Sequence, residues 1–316
     1  MKLHNDVKAF EQAVRGASEY FNTDPALVEK DYFVTLVLRK INEYAPGLLF
    51  KGGTSLSKCH KIIDRFSEDI DLTLDKNHFT EGQRRKLKYI ILDVCKELDL
   101  RLLNVEESRS RRAYNNYRIE YPIKFASSAV NPQLLVETVF IQKAYPDEIK
   151  TADSMIGEWL RSTNNSVAIE QYELYPFEIR VQALERTLVD KVFAICDYME
   201  RSVTLRQSRH IYDISRLLTK VSLDNSLKEL AKEVREDRKP NKTCVSAQDG
   251  VNVPELLMKV IDTEFFKKDY EDSTLKLLSK PIDYDEAIES LEKIIESGVF
   301  ELDEEMGSKK KKDMEM

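Results

Sequence analysis

A short apolar run, Gly47–Phe50 (GLLF), stops at the paired glycines Gly52 and Gly53. The stretch that follows, TSLSKCHKII, carries Leu56, Cys59, Ile62 and Ile63 at helical spacing. Then comes DIDLTLD, in which Ile70, Leu72 and Leu74 alternate with Asp69, Asp71, Thr73 and Asp75. These periods predict a strand, a tight turn, a helix and a half-buried strand, in that order. No other feature constrains the chain as much, because this order fixes where bare backbone and charge meet. A strand that ends in two glycines and enters a helix directs N–H groups at whatever lies above the turn. Residues two apart on a strand share a face, so Asp69 and Asp71 project side by side. Two such carboxylates can bridge two divalent ions about 3.5–4 Å apart, the spacing of two-metal phosphoryl-transfer sites. Mg²⁺ takes carboxylates together with substrate phosphate oxygens, so cradle and acids would share one triphosphate. Either half alone is ordinary: a lone Asp-x-Asp is most often surface, and a lone Gly-Gly is most often a turn. In this order they point to a nucleotide cradle of Gly52 and Gly53, with the Thr54 and Ser55 hydroxyls as further donors.

The length of 316 residues is enough for two domains of ordinary size. No apolar stretch approaches the ~20 residues of a membrane span, and MKLHNDVKAF lacks a signal-peptide core. The expectation is a cytoplasmic protein with no membrane partner. Cys59, Cys95, Cys196 and Cys244 lie far apart with no CxxC pair, which argues against a zinc site and for a reducing compartment. A net charge of −7 argues against a dedicated nucleic-acid coat. Local basic clusters still leave room for a polyanion at one face: Arg84, Arg85 and Lys86; Arg109, Arg111 and Arg112; Arg206 with Arg209.

DPALVEKDYFVTLVLRKINEY reads as a helix capped by Asp24, with Pro25 in its first turn. TEGQRRKLKYIILDVCKELDL is a second amphipathic helix, and YNNYRIEYPIKF and QLLVETVFI are further strands. The fold class is therefore α+β, a mixed sheet with flanking helices over about 45–142. The weakly periodic stretch from Ala144 to Ser166 reads as a link to a mainly helical C-terminal part. That part contains QALERTLVDKVFAICDYMER, SRHIYDISRLLTKV and EAIESLEKIIES. The expected boundaries are 1–145 for N-terminal helices and core, 146–308 for the helical part, and 309–316 for a disordered charged tail.

Gly-Gly followed by Asp-hydrophobic-Asp resembles the signature of the DNA polymerase β-like nucleotidyltransferase superfamily. The fuller pattern FKGGTSLSK…RFSEDIDL resembles the AbiEii/AbiGii toxin family within it, and VEKDYFVTLVL looks like that family's lead-in. Fifteen residues lie between Gly53 and Asp69, as in that branch. Matching motifs run from Glu29 to about Leu218; the last third carries none that can be placed. QALERTLVDKVFA resembles the family's helical motif, whose lysine is Lys191, at the edge of the apolar arc of Leu184, Leu188, Val192 and Ile195. Without the resemblance Lys191 reads as a snorkelling side chain; with it, as a point charge for nucleotide phosphates. RHIYDISRLL resembles the closing motif, with Asp213 as its acid, which could position Lys191, the base or the ribose. As an ordinary helix acid, Asp213 would instead pair with Arg209 or Arg216.

The superfamily mechanism implies a third carboxylate on a neighbouring strand. Glu137, the only charge in LLVETVF, is the choice as metal ligand or base, and Glu120 is the alternative. Arg65 and Ser67 resemble family positions near the triphosphate, whereas Lys58 reads as helix surface. The resemblance implies a polymerase β-like core and an enzyme using two Mg²⁺ ions, or Mn²⁺, with an NTP as substrate. It implies a toxin of a toxin–antitoxin or phage-defence pair, with tRNA as acceptor and a cognate antitoxin as partner. Other readings are nucleotidylation of a small molecule or protein, γ-phosphoryl transfer, and a non-catalytic binding member of the fold.

Overall fold

Asp24 caps the long N-terminal helix as its sequence predicts, accepting a 2.8 Å hydrogen bond from the Ala26 amide. The protein is described by a computed structural model covering residues 1–75, 77–108, 113–127, 130–141 and 143–301. The Arg109, Arg111 and Arg112 cluster and the tail at 309–316 lie outside these described residues. Packing divides the chain into two compact units: Met1–Lys61 with Phe66–Ala183, and Ile62–Arg65 with the chain from Leu184 onward.

The first unit holds helices α1 (Val7–Phe21), α2 (Pro25–Tyr44), α3 (Gly52–Lys58), α4 (Glu81–Glu97), α5 (Met155–Ser162) and α6 (Ser166–Tyr172). Its strands are β1 (Leu48–Lys51), β2 (Asp69–Leu74), β3 (Arg101–Leu102), β4 (Tyr114–Glu120), β5 (Gln133–Val139), β6 (Asp147–Ala152) and β7 (Phe177–Gln182). They form one mixed sheet in the order β3-β4-β5-β2-β1-β7-β6. β2 runs parallel to β5 and antiparallel to β1, while β1 runs parallel to β7. Ile70 and Leu72 of β2, Phe50 of β1 and Val136 of β5 are fully buried in one core with Val37 and Leu38 of α2 and Ile91 of α4. Each such side chain contributes about 1.5–3 kcal/mol of burial free energy. The alternating polar residues of β2 and β5 are thereby turned to the opposite face.

Three expectations are corrected. The helix after the glycines ends at Lys58 rather than continuing through Ile63. Lys61 takes a left-handed φ of +54°, which ends helical propagation. Beyond it, Ile62 and Ile63 are buried as part of the second unit. The expected boundary at 145 also differs from the packing, because β6 and β7 pair antiparallel and complete the first unit's sheet up to Gln182. Thr73, expected with Asp69, Asp71 and Asp75 on the polar side of a half-buried strand, is buried.

The second unit is helical: α7 (Leu184–Glu200), α8 (Arg209–Leu217), α9 (Asn225–Arg238), α10 (Val253–Asp262), the single turn α11 (Lys267–Asp269) and α12 (Tyr284–Glu296). α8 packs on both α7 and α12, burying Ile211, Ile214 and Leu217 with Leu188 and Leu291. The segment Ile62–Arg65 is pinned into this unit by its backbone. The Asp64 amide donates to the Tyr212 hydroxyl at 2.9 Å, and the Ser279 amide donates to the Asp64 carbonyl at 2.8 Å.

Candidate active site

Register across the sheet puts Lys51 of β1, Asp71 of β2, Glu137 of β5 and Asn116 of β4 in one row. Register partners on neighbouring strands share a face, and Asp69, two residues before Asp71, shares it too. The two aspartates and Glu137 are each half-buried, with the fully buried Ile70 and Leu72 on the other side of β2. The glycine at the end of β1 has a specific reason to be there. Gly52 has a φ of +77°, and a Cβ built on it would lie 2.0 Å from Oδ2 of Asp71. Its missing side chain is what lets bare backbone and this carboxylate approach one another.

Glu137 is held by the Tyr114 hydroxyl, which donates to its Oε1 at 2.6 Å. Burial first, and then this carboxylate, push the Tyr114 phenol far above its ordinary value. Among the described residues no three His, Cys, Asp or Glu side chains converge closely enough to hold a metal ion. Asp71 and Glu137 are nonetheless register partners on neighbouring strands. Asp69 and Asp71 by themselves still suit Mg²⁺, which commonly takes one or two carboxylates and completes its shell with water and phosphate oxygens. Glu120 pairs across from Gln133 and makes a 2.7 Å ion pair with Arg101, so it stands apart from the row.

Of the other cradle residues, Thr54 is buried and donates to the Ser67 hydroxyl at 3.0 Å, tying the first turn of α3 to the approach of β2. Ser55 is fully buried and donates to the Gly52 carbonyl at 2.9 Å, so its hydroxyl is committed to the turn itself.

The residues that orient this face include three that the sequence reading left without a role. Glu29, Lys30 and Asp31 are consecutive charges inside the apolar α2. The Lys30 ammonium, 1% exposed, donates to Glu68 at 2.5 Å and to the Asn131 carbonyl at 2.8 Å. Glu68 immediately precedes β2, and Asn131 lies just before β5, so one cation ties the starts of both acid-bearing strands. Burial lowers the Lys30 pKa, and Glu68 acts against that loss. Glu29 accepts the Lys124 and Phe125 amides at 2.8 and 3.0 Å. Lys58 is not helix surface: it is buried against Asp31 and donates to Thr35 Oγ1 at 2.8 Å and the Asp153 carbonyl at 2.9 Å. The signal was present as a run of charges on an apolar helix, where each charge needs a buried partner.

In the helical unit, Asp213 is fully buried between two cations. Arg65 grips it in a fork, Nε to Oδ1 at 2.7 Å and Nη2 to Oδ2 at 2.8 Å, and Lys191 Nζ donates to Oδ2 at 2.6 Å. Burial alone would raise the Asp213 pKa, but Arg65 and then Lys191 hold it far below the usual carboxylate range. Burial lowers the Lys191 pKa, with Asp213 opposing. The half-buried His210, 3.4 Å from Lys191 and stacked on Tyr198, is pushed well below its ordinary value by burial and by the neighbouring Lys191 and Arg209 charges, so it stays neutral. Asp213 thus pairs with Lys191 and Arg65 rather than with Arg209 or Arg216; Arg216 instead reaches Asp64 at 3.7 Å. Asp213, with no exposed surface, is ion-paired to both Lys191 and Arg65.

Residues 36–296 match the family described as "Nucleotidyl transferase AbiEii toxin, Type IV TA system". The chain belongs to this family. No curated protein matches it. For this AbiEii-family chain the matched region takes in the whole sheet, both aspartates, Glu137, Lys191 and Asp213. It also reaches through most of the last third, which carries none of the motifs described above, as far as the end of α12. Among the described residues no helix is long and apolar enough to cross a membrane.

Proposed function

We propose that this nucleotidyltransferase toxin moves a nucleoside monophosphate from an NTP to the 3′ end of tRNA in the cytoplasm, with Mg²⁺ held by Asp69 and Asp71. The observation that carries the reading is the register row, which sets Asp71 against the bare backbone of Gly52 on one side and Glu137 on the other. Bound to the two aspartates, Mg²⁺ would neutralise charge on the phosphate oxygens. The acceptor oxygen bonds to the α-phosphorus while the bond from that phosphorus to the β-bridging oxygen breaks. The hydroxyl proton passes to Glu137, and pyrophosphate leaves. In the helical unit, Lys191, hydrogen-bonded to Asp213, is the residue that the family resemblance offers as a point charge for nucleotide phosphates. Catalysis of this kind is mainly positioning and charge neutralisation, which these residue types supply.

A tRNA capped in this way no longer accepts an amino acid, which fits a toxin, and in turn a cognate antitoxin and a role in phage defence. The test incubates wild-type protein with each α-labelled NTP and deproteinised total tRNA, with and without a chelator. Label at tRNA 3′ ends that disappears on chelation is the expected result. Label in a protein or small molecule instead would discard the tRNA acceptor and keep the chemistry.

A further inference from the structure

Beside Glu137 the first unit contains an open cleft of about 440 Å³, lined by Asn104, Glu107, Tyr114, Asn115, Asn116 and Arg118. Its floor is the face of β4 on which Tyr114, Asn116 and Arg118 alternate, and its wall is the short turn containing Asn104 and Glu107. The wall is fastened to the floor at both ends of one amide. Asn104 Nδ2 donates to the Asn116 carbonyl at 2.9 Å, and Asn104 Oδ1 accepts from the Arg118 amide at 2.9 Å. Arg118 reaches across to Glu107 at 3.1 Å, with both side chains largely exposed at the rim.

The cleft connects directly to the acid row. Asn116 is register-paired with Glu137 and hydrogen-bonds Tyr114, whose hydroxyl is in turn bound to Glu137. This leaves Asn116 Oδ1 buried and without a hydrogen-bond partner. A buried acceptor in that state calls for a donor from outside the protein. The remaining features restrict what that donor belongs to. Tyr114 is an exposed aromatic ring suited to stacking, and Arg118 is a planar cation that can stack or meet a phosphate. The volume suits one nucleoside and is small for a folded partner.

We propose that this cleft is a nucleoside subsite that takes the unpaired terminal nucleoside of the RNA acceptor. Its base donates an N–H to Asn116 Oδ1 and stacks on Tyr114, and its ribose hydroxyl faces Glu137. The donor NTP could offer the same base chemistry, but two lining residues lead to Glu137, the group assigned to receive the acceptor's proton: Tyr114 bonds it at 2.6 Å and Asn116 is its register partner. The inference rests on the nucleotidyl-transfer reading for the hydroxyl's fate, though not for binding.

The test uses full-length wild-type protein, Asn116→Leu and Arg118→Met, each first checked for an unchanged circular dichroism melt. Acceptor KM and NTP KM are measured separately, and binding of a fluorescent single-stranded RNA oligonucleotide with a free 3′ hydroxyl is measured without NTP. Both variants are expected to weaken oligonucleotide binding and raise acceptor KM about tenfold, the scale of one lost base contact, with NTP KM unchanged. A rise in NTP KM with unaltered oligonucleotide binding would assign the cleft to the donor base and overturn the proposal. Unchanged values throughout, or label transferred to protein alone, would also overturn it. Cleft-dependent RNA binding by a wild type that transfers no nucleotide would uphold the subsite while refuting the proposed reaction.

Discussion

Replacing Asp213 by Asn keeps its shape and removes its charge, leaving Arg65 and Lys191 buried together without a counter-ion. The three side chains are 0%, 2% and 8% exposed for Asp213, Arg65 and Lys191, so water cannot take over the lost role. Asn offers one acceptor where the carboxylate now receives three bonds of 2.6–2.8 Å, and its amide hydrogens face two cations. Removing one partner of a buried ionic cluster costs about 3–5 kcal/mol. Against a typical total of about 5–15 kcal/mol, that is a large share of the stability of the fold. The assay is urea unfolding followed by far-ultraviolet circular dichroism, which weights the helical unit. A triple variant, Arg65→Met with Asp213→Leu and Lys191→Met, removes the charges together and is expected to recover most of the stability while remaining inactive. The pH dependence has a definite sign. Because the folded-state pKa of Asp213 is depressed, its contribution is complete above the unfolded carboxylate value of about 3.9 and is lost only as pH falls through the much lower folded value. Wild type and Asp213→Asn should therefore differ by a constant amount near neutrality and converge only in strong acid. A loss below about 1 kcal/mol at neutral pH would refute the view of Asp213 as the anchor of two buried cations.

Gly52→Ala forces a left-handed φ on a residue with a Cβ and drives that Cβ into Asp71. It should cost about 1–3 kcal/mol and raise the Mg²⁺ concentration needed for half-maximal transfer, measured by metal titration. Lys30→Met frees Glu68 and orphans the Asn131 carbonyl. A loss of about 2–3 kcal/mol is expected in unfolding followed by the single tryptophan, Trp159, which lies in the same unit. Glu137→Gln should leave the melt unchanged and lower kcat by roughly 10²–10⁴-fold, the usual contribution of a general base, read in initial-rate assays.

The centre of the sheet was legible because two signals coincide there. The period of two in DIDLTLD and QLLVETV marks the buried face, and the glycine pair marks the turn. β6 was not legible, because an edge strand reading DEIKTA needs little apolar surface on either face. β7 was hidden for a different reason: its apolar positions, Phe177, Ile179 and Val181, are only three and follow a segment without periodicity. Of Asp213's partners, Lys191, 22 residues away, was offered only by the family resemblance, and Arg65, 148 residues away in sequence, could not be read locally. Helical spacing pointed to Arg209 and Arg216 instead, a local rule overridden by tertiary packing. The Lys30 tether is illegible for the same reason, because it joins α2 to the approaches of two strands much later in the chain.

The central claim is that Asp69 and Asp71 support transfer of the α-phosphoryl group of an NTP. The most direct measurement gives the protein NTP labelled on the α-phosphate in one reaction and on the γ-phosphate in another, with tRNA and Mg²⁺ present. Asp69→Asn and Asp71→Asn variants run beside it. The account predicts label in RNA from the α-position only, γ-label recovered in pyrophosphate, and neither product with the variants. Label incorporated from the γ-position, or incorporation that survives loss of both carboxylates, would contradict it.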